Sequence, residues 1–289
     1  MKEEMIRNIF KRLNIEINKI ESANNSFSSN VYIVETINQK YVFKINGKEQ
    51  KRIRESKYIE YLSKYITTPK LIDNGIVDDK NYIIMTFVEG ENKFDEDANS
   101  LTDEQIENIG ILLGKLHSLP LIDEDNDFWI TYLNNTLEKT QDVLKSIFKE
   151  DNEVIYNYLK KYINNKIKNN YKNSIVHMDF RIGNLIFNNN EVGLIDMEGM
   201  KNGEYVFDFV KMKRLLSSEQ FNKLLTGYKK IKKVDKDFYD RLDFYSLFDS
   251  YTTLWWIVNK SRVDSDFYRT NYSIVLDYLS KLKNKNGVV

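Results

Sequence analysis

The sequence predicts an α+β chain of two lobes: a small antiparallel sheet carrying one helix, then a larger, mainly helical part. Three observations lead there. Before residue 90, short apolar runs alternate in the strand period. After residue 100, long stretches repeat at helical spacing. A short strand-like island then interrupts the helices at residues 174–195.

In chain order, residues 5–20 carry Ile6, Ile9, Phe10 and Leu13 at helical spacing, and residues 22–30 are polar. Residues 31–36 and 40–45 alternate as strands, with Asn38 and Gln39 as a hairpin turn between them. Residues 48–66 read as a helix stopped by Pro69, and residues 70–74 lead into an apolar strand at 82–88. These elements set the expected lobes: residues 1–88, a hinge at 89–92 (Glu89, Gly90, Glu91, Asn92), and residues 93–289. In the second lobe, residues 101–119 carry a helical stripe of Ile106, Ile109, Leu112, Leu113 and Leu116, with Thr102 as N-cap and Pro120 just past the end. Residues 133–170 and 206–282 read as further helix, and the island turns at residues 188–190.

Composition removes several classes of function. Lys and Arg total 43 and balance 43 Asp and Glu, so no global charge invites nucleic acid or a membrane surface. No run is apolar and long enough to span a bilayer, and residues 1–12 mix charges where a signal peptide would be apolar, so the expected location is the cytoplasm. A monomer or simple homo-oligomer is expected. There is no cysteine, and the only histidines are His117 and His177. Thiolate chemistry and a multi-histidine metal site are therefore excluded, and any metal should be a hard cation on oxygen ligands, which favours Mg²⁺.

Against the apolar strands of the island, four polar residues stand out: His177, Asp179, Asn184 and Asp196. Their spacing is H-x-D-x-x-x-x-N, then a hairpin, then Asp at a strand end. Phosphoryl transfer needs such groups: a carboxylate to orient an acceptor hydroxyl and take its proton, and an amide oxygen with a second carboxylate to hold Mg²⁺ against nucleotide phosphates. Asn184 on the first strand of the hairpin and Asp196 at the end of the second are expected to share that metal. Upstream, Lys44 lies within an apolar strand, and Glu55 shares a helical stripe with Ile59, Leu62 and Ile66. A carboxylate on an apolar face requires a cation, and Lys44 is the natural partner.

The island resembles the catalytic and metal-binding loops of the aminoglycoside phosphotransferase and choline kinase superfamily, relatives of the protein kinases, and the likeness runs through the whole chain. The resemblance implies a bilobal protein-kinase-like fold with ATP or GTP as phosphoryl donor and Mg²⁺ as cofactor. It makes Asp179 the catalytic base, Asn184 and Asp196 the metal ligands, and His177 a brace for the catalytic loop. It also makes Lys44 and Glu55 the pair that positions the nucleotide phosphates. Residues 82–90 resemble the family's lobe hinge, so Met85 would back the purine while the Thr86 carbonyl and Val88 amide bond the base. Gly203, Glu204 and Asp208 resemble a later structural signature. Arg181 occupies the place of the protein-kinase catalytic-loop lysine, where a guanidinium stabilises the transferring phosphoryl group. Residues 26–30 depart from the glycine-rich phosphate loop of protein kinases; there Ser28, Ser29 and Asn30 would offer hydroxyls and amides instead. Asp196 is followed by Met197 and Glu198 where many kinases have Phe and Gly.

The acceptor is expected to be a small-molecule alcohol, cationic in character. Acidic residues cluster at Glu89, Glu91, Asp95, Glu96 and Asp97 and recur at Asp243, Asp249, Asp264 and Asp266, a wall suited to a polycationic aminoglycoside. Aromatic residues at 245, 248, 251, 255, 256, 268 and 272 would suit a quaternary ammonium such as choline. The leading expectation is an antibiotic kinase of aminoglycoside phosphotransferase type. A metabolic kinase for choline, an amino sugar or a related alcohol comes next, and a catalytically inert nucleotide-binding scaffold is the alternative of another class. His117, at the end of an apolar helix, reads as structural.

Overall fold

A computed structural model of the chain describes residues 2–23, 30–122 and 128–285. Along it run α1 (Lys2–Arg12), β1 (Lys19–Ser22), β2 (Asn30–Glu35), β3 (Lys40–Asn46), α2 (Glu49–Leu62), β4 (Leu71–Val77), β5 (Lys80–Thr86), β6 (Glu91–Asn92) and α3 (Asp103–Ser118). There follow α4 (Phe128–Phe148), α5 (Asp151–Tyr162), α6 (Lys168–Asn170), β7 (Asn173–Val176), β8 (Leu185–Asn188), β9 (Glu191–Leu194) and β10 (Lys201–Glu204). The last helices are α7 (Phe209–Leu215), α8 (Ser218–Lys229), α9 (Phe238–Asn259) and α10 (Asp266–Lys285). The chain divides into two units, one of residues 1–118, 177–201 and 215–232, the other of residues 119–176, 202–214 and 233–289. The expected lobe boundary at residue 88 lies inside the first of these.

The first unit is built on an antiparallel sheet of order β1-β2-β3-β5-β4. The predicted hairpin forms β2 and β3, and Gln39 closes its turn by accepting from the Thr36 amide at 3.0 Å. The segment before Tyr82 is itself a strand: Asp78 and Asp79 both adopt positive φ (46° and 58°), so β4 and β5 form a second hairpin that the expected pattern did not contain. Two described helices, not one, accompany this sheet. Met5, Ile6, Ile9 and Phe10 of α1 share a core with Val34, Tyr41, Phe43, Ile45, Tyr82 and Ile84. The expected helix over residues 5–20 stops at Arg12 because Asn14 turns left-handed (φ 57°) and the Ile15 amide bonds back to the Phe10 carbonyl at 3.0 Å. Residues 19–22 are thereby released to pair as β1. Glu55, Ile59 and Leu62 lie on the buried face of α2, as their spacing requires.

Within the same unit, α3 begins on the predicted cap. The Gln105 amide donates to Thr102 Oγ1 (3.2 Å), and the Thr102 amide donates to Gln105 Oε1 (3.0 Å). Helices α3 and α8 pack backbone to backbone: a Cβ on Gly110 would meet the Leu224 carbonyl at 2.0 Å, and one on Gly227 would meet the Glu107 carbonyl at 2.0 Å. His117 is buried against the Tyr228 hydroxyl (3.2 Å), a structural histidine as expected. The hairpin β8–β9 carries β6 at its edge, with Glu91 opposite Phe187. Gly90 precedes that contact at φ 143°, where a Cβ would come within 2.6 Å of the Phe187 carbonyl, so only glycine fits.

The second unit is mostly helical, with a short sheet in which β7 pairs with β10. The run expected over residues 133–170 breaks at Lys149 (φ 52°), which separates α4 from α5. Glu204 is fully buried, bonded to the Arg241 guanidinium and accepting the Tyr245 hydroxyl at 2.5 Å. Much of the aromatic cluster offered as a choline-binding surface is core. Tyr245, Phe248 and Tyr251 are buried; Trp129 Nε1 donates to the Tyr245 hydroxyl and Tyr251 donates to Asn152, because a buried phenol needs a partner. No helix among the described residues is long and apolar enough to cross a membrane.

Candidate active site

Every described residue predicted for chemistry lies in the first unit. β3 delivers Lys44 to a buried position where three carboxylates meet its ammonium: Glu55 Oε1 at 2.8 Å, Asp196 Oδ1 at 2.8 Å and Glu198 Oε2 at 3.2 Å. Asn46, two residues on and on the same face of β3, donates to Glu55 Oε2 at 3.0 Å. Burial opposes the charge on Lys44, but Asp196, Glu55 and Glu198 outweigh it and hold its proton affinity well above the ordinary lysine value. The Lys44–Glu55 pair read from two apolar stripes is thus present, with Asp196 as a second partner.

The segment that carries Asp179 follows a residue of unusual backbone. Met178 adopts φ 71° and Asp196 adopts φ 63°, conformations that cost a non-glycine residue about 1–3 kcal/mol each and persist where surrounding contacts enforce them. Those contacts are visible. His177 is fully buried and meets the Ile195 carbonyl through Nε2 at 3.0 Å; a carbonyl only accepts, so Nε2 carries the proton. The Ile195 amide donates to the Asn184 carbonyl at 3.0 Å. Ile195 is therefore gripped on both sides, and Asp196 follows it. The residue before it is tied as well: the Leu194 amide donates to the Thr67 carbonyl (2.9 Å) and Thr68 Oγ1 to the Leu194 carbonyl (2.8 Å).

Asp179 is about one-third exposed (35%) and oriented by Asn184, whose Nδ2 donates to Asp179 Oδ2 at 2.9 Å and to its carbonyl at 2.8 Å. Asn184 falls in a 3-10 turn (Ile182–Asn184) immediately before β8, one residue earlier than the strand position expected for it. Arg181 Nε lies 3.4 Å from Asp179 Oδ2, and its Nη1 3.0 Å from Asp95 Oδ2. Asn184 and Asp196 suit a hard cation through their oxygens. Among the described residues no three acidic or histidine side chains form a ready-made metal cage.

Of the residues expected against the base, Met85 and Thr86 end β5 and Val88 lies just past it. Met85 is buried opposite Val42 and Leu71. The Thr86 amide donates to the Lys70 carbonyl and its hydroxyl accepts from the Lys70 amide, both at 2.9 Å. Val88 is half-buried. Asn30 opens β2, and its Oδ1 accepts from Lys2 Nζ at 3.0 Å. Ser28 and Ser29 lie outside the described residues.

Much of the acidic wall has local work. Asp95 bonds Arg181 and the Gly183 amide, Asp97 caps the Phe94 amide at 2.8 Å, and Glu91 pairs with Lys93 at 3.2 Å. In the second unit Asp243 accepts from the Tyr278 hydroxyl, Asp249 pairs with Arg214, and Asp266 pairs with Arg269. Glu89 and Glu96 are exposed.

Sequence reasoning missed a second layer. Glu198 is clamped by Lys51, and its backbone carbonyl accepts from Arg54 Nη2 (2.8 Å) and Nε (3.2 Å). Burial raises the Glu198 carboxyl, but Lys44 and Lys51 carry it below its usual range. One signal was available: Lys51 and Glu55 are one helical turn apart, so a basic residue accompanies Glu55 on the inner face of α2. Lys201, which begins β10, is pushed down to about 7 by burial, with Arg54 adding to the effect.

The sequence profile of the APH phosphotransferase enzyme family matches residues 19–245. Among solved structures, the chain is similar to the GDP and kanamycin complex of APH(2″)-IIIa, with TM-score 0.73 and 17% identity over 99% of both chains. It is similar to the streptomycin-ATP ternary complex of APH(2″)-IIa, with TM-score 0.67 and 20% identity over 96% of both. It is also similar to the choline kinase LicA from Streptococcus pneumoniae, with TM-score 0.70 and 17% identity over 97% of this chain and 99% of that one. At these identities the likeness shows the fold, a kinase-like α+β fold. Comparison with curated protein sequences yields no match.

Proposed function

This chain belongs to the phosphotransferase enzyme family, and on that premise we propose that it is a Mg²⁺-dependent kinase transferring the γ-phosphoryl group of ATP or GTP to a hydroxyl of an aminoglycoside-type antibiotic. The observation that carries the reading is the shared ammonium of Lys44, 2.8 Å from both Glu55 and Asp196, while Asn184 both orients Asp179 and receives the Ile195 amide beside Asp196. Phosphate-positioning, metal-holding and base functions thus converge in one hydrogen-bonded set.

In this reading Asp179 accepts the hydroxyl proton as the new O–P bond forms and the bond to the nucleotide β-phosphate breaks. Lys44, kept charged by its three carboxylates, binds the nucleotide phosphates, and Arg181 stabilises charge on the group in transfer. Asn184 and Asp196 would hold Mg²⁺. The chemistry a magnesium ion supplies when bound is charge neutralisation on the phosphates. Met85, Thr86 and Val88 line the base, and a cytoplasmic site of action suits a nucleotide-dependent enzyme. The intact residue set argues against an inert scaffold.

One observation favours a second reading, a kinase for choline or a related singly charged alcohol: most carboxylates of the expected polycation wall are engaged locally. The deciding experiment is nucleotide consumption by the purified protein with kanamycin, gentamicin, a macrolide or choline, in Mg²⁺ and in excess EDTA. Resistance of a host expressing the gene is scored alongside. Turnover of an aminoglycoside that EDTA abolishes is expected. Turnover of choline alone establishes the second reading, and undiminished activity in EDTA overturns the metal assignment.

A further inference from the structure

The Asp179 loop is gripped by a segment that none of the family's catalytic roles explains. Asn92 ends the expected hinge and Asp95 lies three residues on, and between them they hold every backbone polar group of Gly183. Asn92 Nδ2 donates to the Gly183 carbonyl at 3.0 Å and to the Leu185 carbonyl at 2.9 Å. Asp95 Oδ1 accepts the Gly183 amide at 2.9 Å. Its other oxygen, Oδ2, accepts Arg181 Nη1 at 3.0 Å. Gly183 is what lets the guanidinium pass, since a Cβ there would lie 2.4 Å from Arg181 Nη1. The anchor is firm. Asp95 opens a 3-10 turn (Asp95–Ser100) whose start is capped by Asp97 on the Phe94 amide, and whose Ala98 carbonyl accepts from Gln220 at 2.9 Å.

Resting on the kinase reading above, we propose that Asp95 is a positioning residue for phosphoryl transfer: its one carboxylate holds the Gly183 amide and the Arg181 guanidinium together, and so keeps Arg181 from closing on Asp179. Without Asp95, Arg181 still faces Asp179, whose Oδ2 lies 3.4 Å from Nε. A guanidinium free to move would form a two-pronged bond with that carboxylate and occupy the place of the acceptor hydroxyl. Held between the two, Arg181 touches Asp179 with one nitrogen and directs the rest of its fork elsewhere. The guanidinium divides its separate nitrogens between the two carboxylates, Nη1 to Asp95 and Nε to Asp179.

Three variants and their combination test this in the full chain. Asp95→Asn keeps an oxygen for the Gly183 amide and removes only the charge; Asp95→Ala removes both; Arg181→Ala removes the partner. For Asp95→Asn, kcat is expected to fall about tenfold, with the nucleotide KM unchanged within about twofold, the pattern of lost orientation. Asp95→Ala in the Arg181→Ala background is expected to cost much less than in the wild type, a coupling in kcat that a change in general stability would not produce. Amide hydrogen exchange of residues 179–187 should quicken in Asp95→Ala and stay near wild type in Asp95→Asn, without turnover being needed. Losses in kcat that simply multiply, or unchanged exchange in Asp95→Ala, overturn the proposal. A wild type that consumes neither ATP nor GTP with any acceptor overturns the kinase reading instead, and the exchange result still decides whether Asp95 holds the loop.

Discussion

The Lys44 ammonium and the Asp196 carboxylate, 152 residues apart in sequence, meet at 2.8 Å. Lys44 is buried and Asp196 is 42% exposed, so one partner is fixed and the other can leave. In the proposed function, Asp196 would turn to a cation while Lys44 kept Glu55 and Glu198 as partners and a proton to offer a phosphate.

Replacing Lys44 with Ala is therefore expected to harm both stability and nucleotide use. Glu55 is 1% exposed and would be left as a buried carboxylate without its cation, a loss of about 3 kcal/mol. Glu55→Gln in the same background should recover part of that stability and none of the nucleotide binding. Chemical denaturation and nucleotide calorimetry on the single and double variants separate the two effects.

Asp179→Asn preserves shape and removes the proton acceptor. The rate should fall by about 10²–10⁴, the usual worth of a general base, while nucleotide binding is retained. Because the side chain is about one-third exposed, the melting temperature should change little. A rate within about threefold of wild type would remove Asp179 from the catalytic role.

Lys201 predicts a pH dependence of stability. Its folded pKa, about 7, lies below the unfolded lysine value, so between those values the unfolded chain binds the extra proton. The destabilisation is largest below pH 7 and fades as pH rises toward the unfolded pKa. Lys201→Met should accordingly raise the melting temperature by about 2–4 °C near pH 6.5, and that gain should shrink toward zero by about pH 10. A gain independent of pH would assign the effect to packing.

Gly110→Ala tests the α3–α8 contact. The added methyl has no room beside the Leu224 carbonyl, so the helices must separate, at a cost of about 2 kcal/mol. Thermal melting measures it, and Gly47→Ala, where a Cβ meets nothing within 4 Å, is the control.

Local chemistry alone determined a good deal of this protein. The strand period of residues 31–45 and the capped stripe of α3 are properties of neighbouring residues and lie where their patterns put them; the H-x-D-x-x-x-x-N island does too, save that Asn184 falls in the turn just before its strand. Glu55 on an apolar stripe demanded a cation, and Lys44 supplies it. Tertiary structure decided what depends on a distant partner or on backbone that pattern does not encode. Asn14 ended α1 early, and Asp78 with Asp79 made a strand of residues 71–77, because single positive-φ residues redirect a chain whose apolar period is unchanged. Asp95 read as part of an acidic wall for the acceptor, Lys51 and Arg54 drew no reading, and Tyr245 and Tyr251 read as a ligand-facing cluster. Only the folded chain brings Asp95 to Arg181 across 86 residues, Arg54 to Glu198 across 144 and Tyr251 to Asn152 across 99. A charge or a ring takes its role from what it is folded against, and sequence spacing carries that information only within a helical turn or a hairpin.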